Sequence, residues 1–183
     1  MKNLNKLLLA GIVIVTSLSV NSCNPFDELY LTLAMETEFN VIGAGIGIDI
    51  FKEENFCLSK FEDYEDNKDK LEEIRYISSA YLTIDSTQEL RGDSLTLTLY
   101  QGDGSTLLFK YVVPDFIANK YVNKPLKINL RQQEINNLNA YLTNPQEDKC
   151  FKATLKVSNV QSTSLYFQLN SKIEFLTELK VKP

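Results

Sequence analysis

The sequence predicts an antiparallel β-sandwich with two short helices, and three observations carry that expectation. Apolar and polar residues alternate at period two through many short segments, glycine- and aspartate-bearing turns punctuate them, and only two stretches show helical spacing instead. One apolar and one polar face per strand is the pattern of antiparallel sheets packed together.

Taken in order, LYLTLAMETEF sets Leu29, Leu31 and Leu33 against Tyr30, Thr32 and Ala34. VIGAGIGIDIF reads as a strand with Ile46, Ile48 and Ile50 opposite Gly45, Gly47 and Asp49. DNKDKLEEIRYI has Leu71, Ile74 and Ile77 at helical spacing behind an acidic first turn, which suits the helix dipole, so a helix is expected there. SAYLTID puts Ala80, Leu82 and Ile84 on one face, and SLTLTLY puts Leu95, Leu97 and Leu99 on one face. STLLFKYVV and LKINL follow. RQQEINNLNAYL carries Ile135, Leu138 and Leu142 on one helical face and stops at Asn144-Pro145. FKATLKVSNV, LYFQLNSKIEF and LTELKVK close the chain as strands. Arg91-Gly92-Asp93 and Gly102-Asp103-Gly104 have hairpin-turn chemistry. The expected whole is one domain over 29–183, an eight- or nine-strand sandwich of immunoglobulin-like type with two helical insertions.

Composition removes several classes of function. The 183 residues contain no histidine, which excludes Ser-His-Asp and Cys-His catalysis, histidine-ligated zinc and a histidine pH switch. With 24 acids against 19 basic residues the chain lacks the basic stripe a nucleic-acid partner needs.

The N-terminus has its own pattern. Lys2 and Lys6 precede a 14-residue apolar run, Leu7 to Val20, shorter than the roughly 20 residues of a membrane-spanning helix but suited to a secretory signal. It ends in Val20-Asn21-Ser22-Cys23, which resembles the lipobox of bacterial lipoproteins: aliphatic at −3, small at −1, Cys at +1. Asn21 departs from the small or apolar residue commoner at −2. The resemblance implies that residues 1–22 are a signal peptide removed on export, and that Cys23 carries the lipid and anchors the protein to a membrane. Each buried methylene contributes ~0.8 kcal/mol, and stable anchoring takes more than one chain. Residues 23–28 would then be a short tether. Without Lys2 and Lys6, 17 basic residues face 24 acids, a net charge of −7.

With Cys23 lipidated, Cys57 and Cys150 remain. In an oxidising envelope compartment two leftover cysteines tend to pair, and a disulfide is expected, the alternative being two separate buried thiols.

Other motifs weigh toward plain structural readings. GAGIG, Gly43 to Gly47, lacks the strand-to-helix setting and spacing of a dinucleotide fingerprint and has no P-loop lysine, so no nucleotide is expected. FEDYEDNKDKLEE, Phe61 to Glu73, is dense in acids but fails the EF-hand template, since Lys68 stands where the turn glycine belongs and Ile74 where the bidentate Glu belongs. No metal or other cofactor is expected. Arg91-Gly92-Asp93 matches an integrin-type tripeptide, although a hairpin tip accounts for its Gly and Asp. Asp85-Ser86-Thr87 and Asp93-Ser94-Leu95 resemble a short O-glycosylation sequon of envelope proteins.

The lipobox, the tether and the β-rich body, with FEDYEDNKDKLEEIRYISSAYLTID its most reminiscent stretch, together resemble small β-sandwich envelope lipoproteins of the Bacteroidota type. That resemblance implies an outer-membrane location, periplasm-facing or surface-exposed, and leaves the activity open. The function expected is a non-enzymatic binding or adhesion module with an envelope protein or glycan as partner. The alternatives are a structural subunit of an envelope complex and a carboxylate-dependent hydrolase. A binding module predicts one exposed loop end or sheet face with clustered Tyr and Phe; an assembly subunit predicts an exposed strand edge or a large apolar patch.

Overall fold

In the computed structural model residues 29–182 are described. Cys23, the signal segment at 1–22 and the tether at 23–28 therefore lie outside the described residues.

Eight strands and two helices follow one another as β1 (Leu29–Ala44), β2 (Ile48–Cys57), α1 (Glu62–Glu65), β3 (Leu71–Ser86), β4 (Arg91–Gln101), β5 (Leu107–Ile117), β6 (Leu126–Ile128), α2 (Gln132–Tyr141), β7 (Cys150–Val160) and β8 (Tyr166–Val181). They form two four-stranded antiparallel sheets, one ordered β1-β8-β3-β6 and the other β2-β7-β4-β5. The antiparallel sandwich is as expected, but the strand order is not immunoglobulin-like. In an immunoglobulin domain the first two strands share a sheet. Here β1 and β2, β3 and β4, β5 and β6, and β7 and β8 each cross between sheets, which is the order of an eight-stranded jelly roll. Alternation tells which face of a strand is buried, not which strand lies beside it.

All four of those crossings fall at one end of the sandwich, here called the tip. The chain enters β1 at the other end, the base, where Leu29 pairs with Val181 and Leu71 also meets Val181. The two helices sit in base connections.

The core is the inward half of each strand. On β1 the odd positions Leu33, Met35, Thr37, Phe39 and Val41 are buried, and on β8 every odd residue from Phe167 to Val181. Leu95, Leu97 and Leu99 of β4 face Val157, Leu155 and Ala153 of β7 within their sheet, all buried. Phe56 stacks on Phe151 and Phe175 with ring centroids 5.1 and 5.9 Å away, joining the sheets near the base. Helix α2 is where the spacing placed it. Leu138 and Leu142 are buried, and Glu134 turns back to accept from the Arg131 backbone N–H at 2.8 Å, satisfying a donor of the first turn.

Three local expectations are overturned. Leu71–Ile77 is strand, not helix: the register of β3 against β8 slips between Leu71 and Glu73 and between Tyr76 and Ser78. A bulge adds one residue, so inward positions fall three apart and imitate helical spacing. The helix of this region is instead α1, whose buried Tyr64 donates its hydroxyl to the Pro145 carbonyl at 3.0 Å. The second slip returns the inward row from even to odd positions, so the apolar side of SAYLTID is not the buried one. Ser79, Tyr81 and Thr83 point inward, while Ile84 is exposed and Ala80 and Leu82 are half-buried. Finally, Arg91-Gly92-Asp93 opens β4 rather than turning a hairpin. A Cβ on Gly92 would lie 2.4 Å from Val157 Cγ1 and 2.7 Å from the Ser158 carbonyl oxygen, so the glycine is there for close packing. Gly102-Asp103-Gly104 does turn a hairpin, with Asp103 accepting from the backbone N–H groups of Ser105 and Thr106 at 2.9 and 3.0 Å.

Gly92→Ala should destabilise the fold by about 1–3 kcal/mol through overpacking, read by urea denaturation. Tyr81 is fully buried with its hydroxyl 3.2 Å from Thr83 Oγ1, and burial pushes its phenol up to about 12. An unfolded tyrosine ionises near ~10, so this contribution is whole below about pH 10 and is lost as pH rises toward 12, by roughly 2–3 kcal/mol. Tyr81→Phe should remove that alkaline loss, measured as unfolding free energy at about pH 8 and about pH 11.5.

Candidate functional site

The tip gathers two loops that are distant in sequence. At the β1–β2 corner, Gly45 and Gly47 take positive φ (+109° and +72°), so GAGIG is a turn between sheets rather than one strand. The Gly45 N–H donates to the Leu165 carbonyl at 2.8 Å and the Gly47 N–H to the Val160 carbonyl at 2.7 Å. These bonds lock the corner to the β7–β8 connection. Gly43, just before the corner, lies under the Phe167 ring, which a Cβ would meet at 2.4 Å.

The side chains this corner presents are apolar. Ile42 is 81% exposed, Ile46 62%, Leu165 63% and Tyr166 71%, with Ile48 beside them at 39%. Large apolar groups scattered singly are ordinary on a surface; here Ile46 and Leu165 lie on two connections joined by backbone bonds, with Ile42, Ile48 and Tyr166 in the strand ends that adjoin them, and the five form a patch. The alternation places all five in strands, which holds for Ile42, Ile48 and Tyr166 but not for Ile46 and Leu165. Three glycines within five residues around Ile46, and the polar run Gln161 to Ser164 before Leu165, were the available signals.

A polar network stiffens the ground beneath the patch. Asn159, at φ +50°, donates its backbone N–H to Asp49 Oδ1 at 3.0 Å, and its amide group donates to both Asp93 oxygens at 3.1 and 3.0 Å. Lys156 pairs with Asp49 at 2.7 Å, and together with the Asn159 bond this holds the Asp49 carboxyl below its usual range. The network ties the starts of β2 and β4 to the end of β7, and it uses the carboxylate of the Arg91-Gly92-Asp93 tripeptide internally. The basic residues Lys120 and Lys124 lie in the β5–β6 connection, on the far side of the same end. Of the two sequon-like sites, Ser86 donates its hydroxyl to Asn119 Oδ1 at 2.8 Å and Ser94 is half-buried within β4.

The base holds the cysteine pair. Cys57 and Cys150 face each other across the ends of β2 and β7 and are joined as a disulfide, 93 residues apart in sequence. Both sulfurs and an Asp148 carboxylate oxygen lie within 4.8 Å of one another. Sulfurs bonded to each other are not thiolate ligands, and Asp148 accepts from the Ser59 N–H and hydroxyl at 3.0 and 2.7 Å. Beside the bridge, the Tyr141 hydroxyl donates to the Cys150 carbonyl at 2.7 Å and ties α2 down. The acid-rich stretch Phe61 to Glu73 forms α1, its exit turn and the start of β3, and Lys68 pairs with Glu65 at 2.8 Å. The carboxyls of Asp49, Asp103, Glu134 and Glu147 all shift downward, each held by hydrogen bonds, the opposite of what a general acid needs.

No protein-family model and no curated protein sequence matches the chain. Among solved structures it is distantly similar to viral coat proteins. The Macrobrachium rosenbergii nodavirus structure shares 10% identity over 88% of this chain and 56% of that one, at a TM-score of 0.40. The decameric BFDV capsid protein shares 12% over 82% and 99%, at 0.39. Turnip yellow mosaic virus shares 9% over 85% and 83%, at 0.38. Scores this low carry no argument about function.

Removing the bridge with Cys57→Ser and Cys150→Ser should cost about 4–5 kcal/mol in the chain-entropy model for a loop of this length. The loss is read as a drop in urea midpoint, and a reductant should reproduce it in the unmutated protein.

Proposed function

We propose that this chain is a lipid-anchored, non-enzymatic binding or adhesion module of the bacterial outer membrane, presenting the Ile42–Ile46–Leu165–Tyr166 patch to a partner. The observation that carries the reading is the polarity of the sandwich. The chain leaves the tether region and enters β1 at the base, whereas the exposed apolar patch sits at the tip. The sixteen residues of β1 separate them by about 50 Å at ~3.3 Å per residue. Attachment through Cys23 would thus hold the patch away from the membrane and toward a partner. Three of the four side chains are aliphatic, which fits an apolar surface on an envelope protein better than a glycan; Tyr166 alone offers a ring for sugar stacking.

The test joins anchor and tip in one cell-based measurement. Cys23→Ser should remove the lipid, read as an intact mass that lacks it, whether or not residues 1–22 are still attached. A photo-crosslinker at Tyr166 should trap a discrete envelope protein in intact cells. Ile46→Glu with Leu165→Glu should weaken that crosslink about tenfold or more, as loss of an interface centre does, while stability shifts by no more than about 0.5 kcal/mol. A crosslink indifferent to the two glutamates would refute the tip as the binding site. A lipid-bearing mass in the Cys23→Ser protein, or an unmutated protein whose mass carries no lipid, would refute the anchor at Cys23.

A further inference from the structure

The four sheet edges are not alike. β2 slips register between Ile48 and Ile50 and carries Lys52 and Glu54, paired at 3.2 Å, on the same side as its buried Ile50 and Phe56. β5 contains Pro114, followed by Asp115 at φ +48°, and β6 is three residues long. Bulges, inward charges, prolines and brevity are the devices that blunt an edge against strand addition. β1 has none of them. Its sixteen residues keep unbroken register with β8, without proline, and its only charges are Glu36 and Glu38.

The direction of its free backbone groups follows from the ladder. The Gly45 N–H to Leu165 carbonyl bond continues the β1–β8 pairing, so the odd-numbered residues exchange bonds with β8. The even-numbered residues from Thr32 to Ile42 therefore direct N–H and C=O away from β8. Among the described residues these groups have no backbone partner.

We propose that the free edge of β1 between Thr32 and Ile42 is a strand-addition site for an extended segment of a different chain, with basic residues facing Glu36 and Glu38. Charge selects that partner. On the outer face Lys172 of β8 bonds both Glu36 and Glu174 at 2.7 Å, leaving three acids, Glu36, Glu38 and Glu174, around one lysine. A second copy paired about the middle of β1 would set Glu36 and Glu38 against their own counterparts, and like charges directly opposite are destabilising. A lysine or arginine there relieves the excess instead. A side chain reaching over β1 also has room, since a groove of about 570 Å³ crosses the outer face from β1 over β8 to β3, lined by Ala34, Glu36, Ala80, Glu174 and Leu176. Main-chain bonds would supply affinity and the alternate side chains selectivity.

The experiment is residue-resolved hydrogen exchange on the full chain in mild detergent. The probe is a synthetic peptide spanning Thr32–Ile42, alternating threonine and valine with lysine at two successive outward positions; the control has glutamate there. The lysine peptide should slow exchange about tenfold or more at the even-numbered amides and the glutamate peptide should not. Glu36→Lys with Glu38→Lys should reverse the preference. Ala34→Pro removes an edge-facing N–H but no bond to β8, so it should keep the melting temperature and abolish the slowing. Even-numbered amides already protected in the free protein, equal slowing by both peptides, no slowing at all, or a dimer sealed through β1 in sedimentation would each overturn the proposal.

Discussion

The structure depends on the pairing of β8 with both of its neighbours. β8 contacts β1 along all sixteen residues and β3 along nearly the same length, so one strand fixes the register of three. Its odd residues supply the core with an unbroken buried row, and its even residues form the centre of the outer face. Because β8 has β3 on one side, β1 is left as an edge, and because it begins at the tip and ends at the base, the two ends of the sandwich become chemically distinct. The apolar patch, the chain entry point and the free edge are all consequences of where this strand lies.

The two ends are stabilised by different means. At the base, where α1 and α2 interrupt the strands, a covalent bridge, the Tyr64 bond to Pro145 and the Tyr141 bond to Cys150 hold the long connections against the sheets. At the tip, short connections are fixed by backbone bonds through Gly45 and Gly47 and by the Asn159 network. Stiffness at the tip has a cost in sequence freedom, since positive φ and close ring packing restrict those positions to glycine. In return the exposed side chains there sit on ordered ground, which would lower the entropy lost if a partner engaged them.

The sandwich was legible in the sequence because strand alternation is a local signal. β1, β4, β7 and β8 bury the faces that their patterns indicate, and the heptad-like spacing of Ile135, Leu138 and Leu142 marked α2. The errors came from defects in alternation. The first bulge in β3 gives Leu71 and Ile74 the spacing of a helix, and the second returns the inward row to odd positions and so to Tyr81, whose hydroxyl meets Thr83. Strand order was illegible, because nothing local tells β2 to pair with β7 rather than β1. The tip failed for a related reason: Ile46 and Leu165 are about 120 residues apart in a chain whose loops meet only through the long-range pairing of β1 with β8. The cysteine pair was the exception, found from compartment and count rather than from pattern.

The length and direction of β1 have a mechanical consequence. Its first residue lies at the base and its last at the tip, with β8 running alongside in the opposite sense. Tension between a held chain start and a held tip acts parallel to these strands. The ladder bonds between β1 and β8 would then be loaded together in shear, sharing the force, rather than opened one at a time as in a zipper.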